Sequence, residues 1–340
     1  MKSLRLSFWD HSWQYDGHTP ENHPLGGSHS ALVYLTRELA KLGHEVHIYN
    51  NCKLPGVFYG VHYHQIKEVQ EATRYLYSDA FISLRDPRVF RFWLNAGVRI
   101  LWAQDAYDQQ ALLELKCDKL VRQNIDVIFC ISRWQAWTFS NYFHWLPEKI
   151  YITRNAIWPG YFPKEFSEPQ GQKLVYTSTP FRGLELLLRL FPKIKRLVPD
   201  AELHVFSSMQ VYQQSQEEDT QQFGHIYKLA EQPGVLLHGS VGQKELAKEL
   251  IKCKVFAYPN IYPETGCIAA MEALAAGCAV VTSRLGALPE TVGPGGILIA
   301  GIPGTAAYNK SFIENCVRLL ADETARQKMA MAGRDWILNH

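Results

Sequence analysis

The sequence predicts an α/β protein built as two Rossmann-like lobes, each a parallel sheet covered by helices. Three observations carry that prediction. Short apolar strands alternate with helical stretches along the whole chain. At 340 residues the chain is long for one core and comfortable for two. Between Ile157 and Gln172 the periodicity lapses into Pro159-Gly160, Pro163, Pro169 and Gly171, a breaker-rich stretch that reads as a linker. The expected boundaries are 1–157 for the first lobe, 158–172 for the linker and 173–340 for the second lobe.

In chain order, the first lobe offers strands at Leu4–Phe8, Glu45–Tyr49, Ala80–Leu84, Arg99–Trp102, Asp126–Ile131 and Lys149–Thr153. A helix from about Ser28 to Leu42 places Leu32, Leu35, Leu39 and Leu42 on one face and is ended by Gly43. A second, Arg133 to Trp145, stops before Pro147. His62 and His64 alternate on a short extended run and read as a surface face. The second lobe offers strands at Lys173–Thr177, Glu202–Phe206, Val235–His238, Val255–Tyr258, Ala279–Thr282 and Ile297–Ile299, with helices at Leu184–Leu197 and Gln243–Lys252. Gln210 to Gln222, rich in Gln and carrying Glu217-Glu218-Asp219, reads as a surface loop. In such sheets ligands bind beyond the carboxyl ends of the strands, which predicts an active site in the cleft between the lobes.

Composition excludes several classes. With 47% hydrophobic residues, 20% charged and a net charge of +2, the chain is an ordinary globular enzyme by composition and no nucleic-acid binder. Seven cysteines without a CxxC pair read as free thiols in a reducing compartment. Met1 to Phe8 alternates like a strand and lacks the apolar stretch of a signal peptide, and no run approaches the ~20 apolar residues that span a bilayer. The expectation is a cytoplasmic protein with at most peripheral membrane contact. Arg85, Arg88 and Arg91, interleaved with Phe90, Phe92 and Trp93, read either as a solvated helix face with its aromatics in the core or as an acceptor or lipid-headgroup surface. Eight of the nine tryptophans lie at or before Trp158; most are expected in the core, with Trp9 and Trp13 candidates for stacking on an acceptor sugar.

The most informative string runs from Pro263-Glu264-Thr265-Gly266-Cys267-Ile268 to Glu272 and on to Gly277. A strand feeds a turn, and an Ala-rich helix starts near Gly266 and stops at Gly277. Its free N–H groups and positive dipole end suit an anion. Glu264 lies just outside the helix and Glu272 about two turns in, so an anion flanked by two hydroxyl acceptors is expected: a nucleotide sugar. Here the chain resembles the retaining nucleotide-sugar glycosyltransferases of family 4, whose E-x7-E motif it matches. The resemblance implies the two-lobe architecture called GT-B. It implies that Glu264 contacts the transferred sugar, Glu272 the ribose hydroxyls, and the loop at Thr265, Gly266, Cys267 and Ile268 the diphosphate. Family members continue past the equivalent of Gly333 to His340 into a helix crossing back to the first lobe, expected here to be shortened or clipped.

Other segments fit the same resemblance. Gly26-Gly27, before the first long helix, matches a Gly-Gly loop facing the donor diphosphate and acceptor. Arg182-Gly183 stands where the family has Lys-Gly before a helix; no counterpart to the family's second, earlier cation is evident. Asp105 matches an acidic position beside the transferred sugar, with Gln104 where many members have His; Asp105 reads equally as a helix cap. Val241, in the turn His238-Gly239-Ser240-Val241, is where the nucleobase is expected. Glu290 reads as a helix-end residue. His11, Asp16, His18 and His23 are too irregular for a metal site, though one of them could meet the acceptor, and no Asp-x-Asp occurs. Neither a metal nor another cofactor is expected beside the co-substrate. The expected partners are a nucleoside diphosphate sugar and a sugar, glycan or lipid acceptor. The expected activity is hexosyl transfer to an acceptor hydroxyl, with Glu264, Asp105 and Arg182 at the reacting centre. A nucleotide-sugar 2-epimerase and a catalytically silent sugar-nucleotide or glycan-binding protein are the rivals.

Overall fold

The structure is a computed structural model that describes residues 2–66 and 77–339. It divides into two compact units: Met1–Thr19 with Ser28–Asn155, and Pro20–Gly27 with Ala156–His340.

In the first unit the strands are β1 (Arg5–Trp9), β2 (Glu45–Asn50), β3 (Gly56–Phe58), β4 (Val61–Gln65), β5 (Ser78–Leu84), β6 (Ala96–Ala103), β7 (Val127–Cys130) and β8 (Ile150–Ile152). They form one sheet in the order β3-β4-β2-β1-β5-β6-β7-β8. Only β3, antiparallel to β4, breaks the parallel run. The strand order reverses beside β1, where Leu6 pairs with Val46 on one side and Ala80 on the other. Phe81, Leu101, Ile128 and Phe139 belong to a buried core.

Helix α1 (Gly27–Lys41) buries His29, Leu32, Val33, Thr36 and Arg37, an i, i+3, i+4, i+7, i+8 face. The leucine stripe is corrected by this: Leu35 is 40% and Leu42 62% exposed. Helix α2 spans Arg133–Tyr142 and is N-capped by Ser132. His62 and His64 are half-buried on β4, and His47 of β2 stacks on both at 4.9 and 5.2 Å, so they line a ring ladder rather than a solvated face. Of the eight early tryptophans only Trp102 and Trp145 are buried, and Trp93 and Trp137 are well exposed. The large indole, apolar but for one N–H, tolerates a half-buried position in strand, helix or loop alike, as at Trp9, Trp134 and Trp13, which composition does not reveal.

The second unit holds β9 (Gln172–Thr177), β10 (Ala201–Phe206), β11 (Val235–Leu237), β12 (Val255–Tyr258), β13 (Ala279–Ser283) and β14 (Gly296–Ile299). All pair in parallel, in the order β11-β10-β9-β12-β13-β14. The order reverses between β9 and β12, the switch point at which parallel sheets receive ligands. The longer helices are α3 (Leu184–Leu197), α4 (Gln216–Lys228), α5 (Gln243–Leu250), α6 (Ile268–Ala276), α7 (Ala306–Ala321) and α8 (Glu323–Asn339).

The Gln-rich segment is therefore no loop. Ser215 caps α4 by a capping box: its hydroxyl accepts from Glu218 N, and the Glu218 carboxylate accepts from Ser215 N. Phe223 and Ile226 bury one face, while Glu217, Glu218 and Asp219 sit in the first turn, where the helix dipole favours them. Among the described residues no helix is long and apolar enough to cross a membrane.

Candidate functional site

At the switch point of the second unit the chain leaves β12 through Pro259, Asn260, Ile261, Tyr262, Pro263 and Glu264 before entering α6. Asn260 shapes this turn: its side-chain oxygen accepts from Tyr262 N at 2.9 Å and its amide donates back to Tyr262 O. Two glycines from neighbouring strands clamp it. Gly183, at φ 114°, lies so close that a Cβ would stand 2.3 Å from Pro259 O. Gly286, at φ 58°, would place a Cβ 2.4 Å from Glu264 O, which also accepts from Ala287 N at 2.7 Å. Only glycine allows both this backbone conformation and this approach.

Glu264 is 4% exposed. Arg182, arriving from the turn after β9, donates through Nη1 to both carboxylate oxygens at 2.8 Å each. Tyr258 donates its hydroxyl to Oε1 at 2.5 Å. The guanidinium lies over the Tyr262 ring at 4.6 Å and near Phe181 at 5.5 Å. Burial works against the Arg182 charge, and the adjacent Glu264 carboxylate more than offsets it, so the guanidinium is held above its ordinary value. Burial, reinforced by Glu264, pushes the Tyr258 hydroxyl well up and keeps it a donor.

Helix α6 begins at Ile268, two residues later than the glycine predicts, because Cys267 takes the cap position. Ala270 and Ala273 to Ala276 are buried, so the small face sits flat on its neighbours, and Gly277 ends the helix at φ 88°. Glu272, on this helix, is mostly buried and has no hydrogen-bond or ion-pair partner among the described residues. Burial pushes its carboxyl up to about 8. The Cys267 thiol, 4% exposed, is pushed well up by burial, so despite its place at a helix start it is no thiolate. Around the same strand ends, the hydroxyls of Thr177, Thr179 and Ser207 are buried without a protein partner.

Several predicted residues meet here. Glu264, Thr265, Gly266, Cys267, Ile268, Arg182 and Glu272 all flank the start of α6. Gly26 and Gly27 belong to the same unit, and a Cβ on Gly27 would stand 3.2 Å from Ile268 Cδ1. The turn at Val241 is tied down by Ser240 and Ser208, whose hydroxyls lie 2.6 Å apart, and by Gly242 packed on Glu21 O. Glu290 is exposed, in the first turn of a short helix over Leu288–Val292. Sequence reasoning missed Tyr258 and Tyr262. The Pro259-Asn260 break right after a strand was the available signal that nearby side chains serve a turn.

Asp105 lies in the first unit, just past the carboxyl end of β6, and its side chain caps no helix among the described residues. Its carboxylate takes Arg85 Nε at 2.7 Å and Nη2 at 2.9 Å, with Arg85 in the left-handed region at φ 67°. Gln104 exchanges two 3.1 Å amide hydrogen bonds with Asn155. Arg88 binds Asp86, and Arg91 binds Glu114 and Asp118. The basic cluster thus carries its own counter-charges. Phe90 is in the core, while Phe92 and Trp93 are exposed. His11 pairs with Asp86 at 3.2 Å. Among the described residues no group of three or more His, Cys, Asp or Glu could hold a metal ion.

Known proteins resemble this chain in sequence and in fold. Residues 166–336, half of the chain, match the family model described as glycosyl transferases group 1. The chain is 27% identical over 188 residues to the MMP alpha-(1->4)-mannosyltransferase of Mycolicibacterium hassiacum; the match covers 54% of this chain and 43% of that protein. It superposes on sucrose-phosphate synthase from Thermosynechococcus elongatus with a TM-score of 0.74 at 15% identity, over 98% of this chain and 94% of that one. On Anabaena HepE in complex with UDP-glucose the TM-score is 0.71 at 14% identity, over 99% and 95%. At these identities the likeness to solved structures shows the fold, that of the GT-B glycosyltransferases.

Proposed function

Because the chain belongs to the family of group 1 glycosyl transferases, we propose that it moves a hexose from a nucleoside diphosphate sugar to an acceptor hydroxyl, with retention at the anomeric carbon. The observation that carries the donor assignment is the pairing of Glu264 and Arg182 before the α6 start, with Glu272 on that helix carrying a carboxyl that has no partner among the described residues. Arg182 and the first amides of α6 meet the diphosphate, where no metal is called for. Glu264 takes sugar hydroxyls, Glu272 the ribose diol, Gly26 and Gly27 the diphosphate side, and Val241 the base. With no second carboxylate placed as a nucleophile among the described residues of this cluster, attack from the face of the departing phosphate is the economical route to retention. The mannosyltransferase relative and the HepE complex with UDP-glucose motivate a hexose donor.

A thermal-shift screen across UDP-, GDP- and ADP-sugars tests the donor assignment, since a bound donor stabilises the fold by mass action. One donor is expected to raise the melting temperature selectively. Glu264→Ala should then lower turnover by roughly 100-fold or more, and Glu272→Ala should mainly raise the donor Kd. Wild-type turnover in the Glu264 variant would sink the assignment, and conversion of the donor without any acceptor would favour an epimerase.

A further inference from the structure

Arg182 and Glu264, assigned above to the diphosphate and to the transferred sugar, are bound to each other. Arg182 Nη1 spans both carboxylate oxygens at 2.8 Å, and the Tyr258 hydroxyl occupies Oε1 at 2.5 Å. A carboxylate offers about four lone-pair positions, so Glu264 has little left for a sugar diol. The guanidinium is far from saturated. Its Nε is buried without a partner, and its flat face rests on the Tyr262 ring, a surface over which it can pivot. A phosphate group is a strong bidentate partner for the guanidinium donors that Glu264 leaves unused.

Building on the nucleotide-sugar reading, we propose that Arg182 is a latch that makes sugar binding conditional on a diphosphate. The diphosphate draws the guanidinium off Glu264, and the carboxylate, still held by Tyr258, accepts the sugar hydroxyls with the lone pairs released. A sugar lacking the diphosphate meets a carboxylate that is already occupied. Tyr258 is a positioning residue: it acts through Glu264 and keeps its oxygens oriented while Arg182 moves. The backbone stays in place because Gly183 and Gly286 pack directly on the Pro259 to Glu264 turn.

The test is the affinity for UDP, GDP and ADP without any sugar, measured by calorimetry on the full chain. Opening the latch costs wild type part of its diphosphate binding energy. Glu264→Gln has no charge to surrender, so it should bind the preferred nucleoside diphosphate about 3- to 10-fold tighter than wild type. The sugar nucleotide should show no such gain. Tyr258→Phe keeps the pair, so its nucleoside diphosphate affinity stays at the wild-type level. Its kcat should fall about tenfold at unchanged donor KM, a split that a merely structural hydroxyl would not produce. Equal or weaker nucleoside diphosphate binding by Glu264→Gln overturns the latch and leaves the donor site standing. If wild type binds no nucleoside diphosphate, the donor reading fails first and the latch with it. Should Glu264→Gln not fold, Glu264→Asp, which withdraws the carboxylate by one methylene, carries the same comparison.

Discussion

Glu272 is held in a state that costs stability. With its carboxyl at about 8 in the folded chain against an ordinary 4.5, the fold favours the protonated form. The sign follows: this contribution to stability is complete below pH 4.5 and is lost as pH rises through about 8. Glu272→Gln, neutral at every pH, should therefore exceed wild type in stability by an amount that grows across that window, on the order of 2 kcal/mol at pH 8. Denaturant unfolding at pH 5 and pH 8, without donor, reads the difference. A gap that narrows with rising pH would contradict it. The same variant should bind the donor more weakly, a trade of stability against function. Glu264 and Glu272 were legible in the sequence because their spacing straddles a predictable helix start. Tyr258 was not, because an aromatic closing an apolar strand reads as core, and its hydroxyl finds Glu264 only once the intervening turn has folded. The ion pair of Asp105 was not legible, since Arg85 follows the neighbouring strand.

At the level of elements, two turns hold the chemistry in register. Gly286 sits at φ 58°, and a Cβ there would press on Glu264 O and N. Gly286→Ala should cost about 2 kcal/mol and lower turnover by more than the loss of folded protein explains. Activity per folded molecule, with the folded fraction from circular dichroism, separates the two, and an unchanged value would mean that Gly286 supports the fold alone. Strands were the legible elements, because a parallel sheet buried on both faces writes itself as short apolar runs. The misread elements share a cause. In the Gln-rich stretch polar composition outweighed the pair that matters, Ser215 with Glu218, and the spacing of Phe223 and Ile226. In α1 the leucines drew the eye to one stripe, while His29, Thr36 and Arg37 were buried on another because each has a polar partner within the first unit. Asp10 holds His29 at 3.2 Å, Thr36 bonds Leu32 O, and Arg37 bonds Gly17 O.

For the molecule as a whole, each unit has its own sheet and its own buried core. Equilibrium denaturation should accordingly show two transitions rather than one, and a nucleoside diphosphate should raise the midpoint of one of them only, the second unit's. A single transition shifted as a block would show that the units unfold together. The two-lobe class was readable from strand–helix alternation. The finer partition was not, because Pro20–Gly27 joins the second unit through contacts such as Glu21 with Gly242, which no local pattern announces. The cysteines carry a practical consequence. Six of the seven are buried and Cys117 alone is exposed, so one maleimide fluorophore can be attached at a single defined point on the first unit without mutagenesis. The other six become reactive only on unfolding, and the stoichiometry of labelling counts how much of the chain has opened.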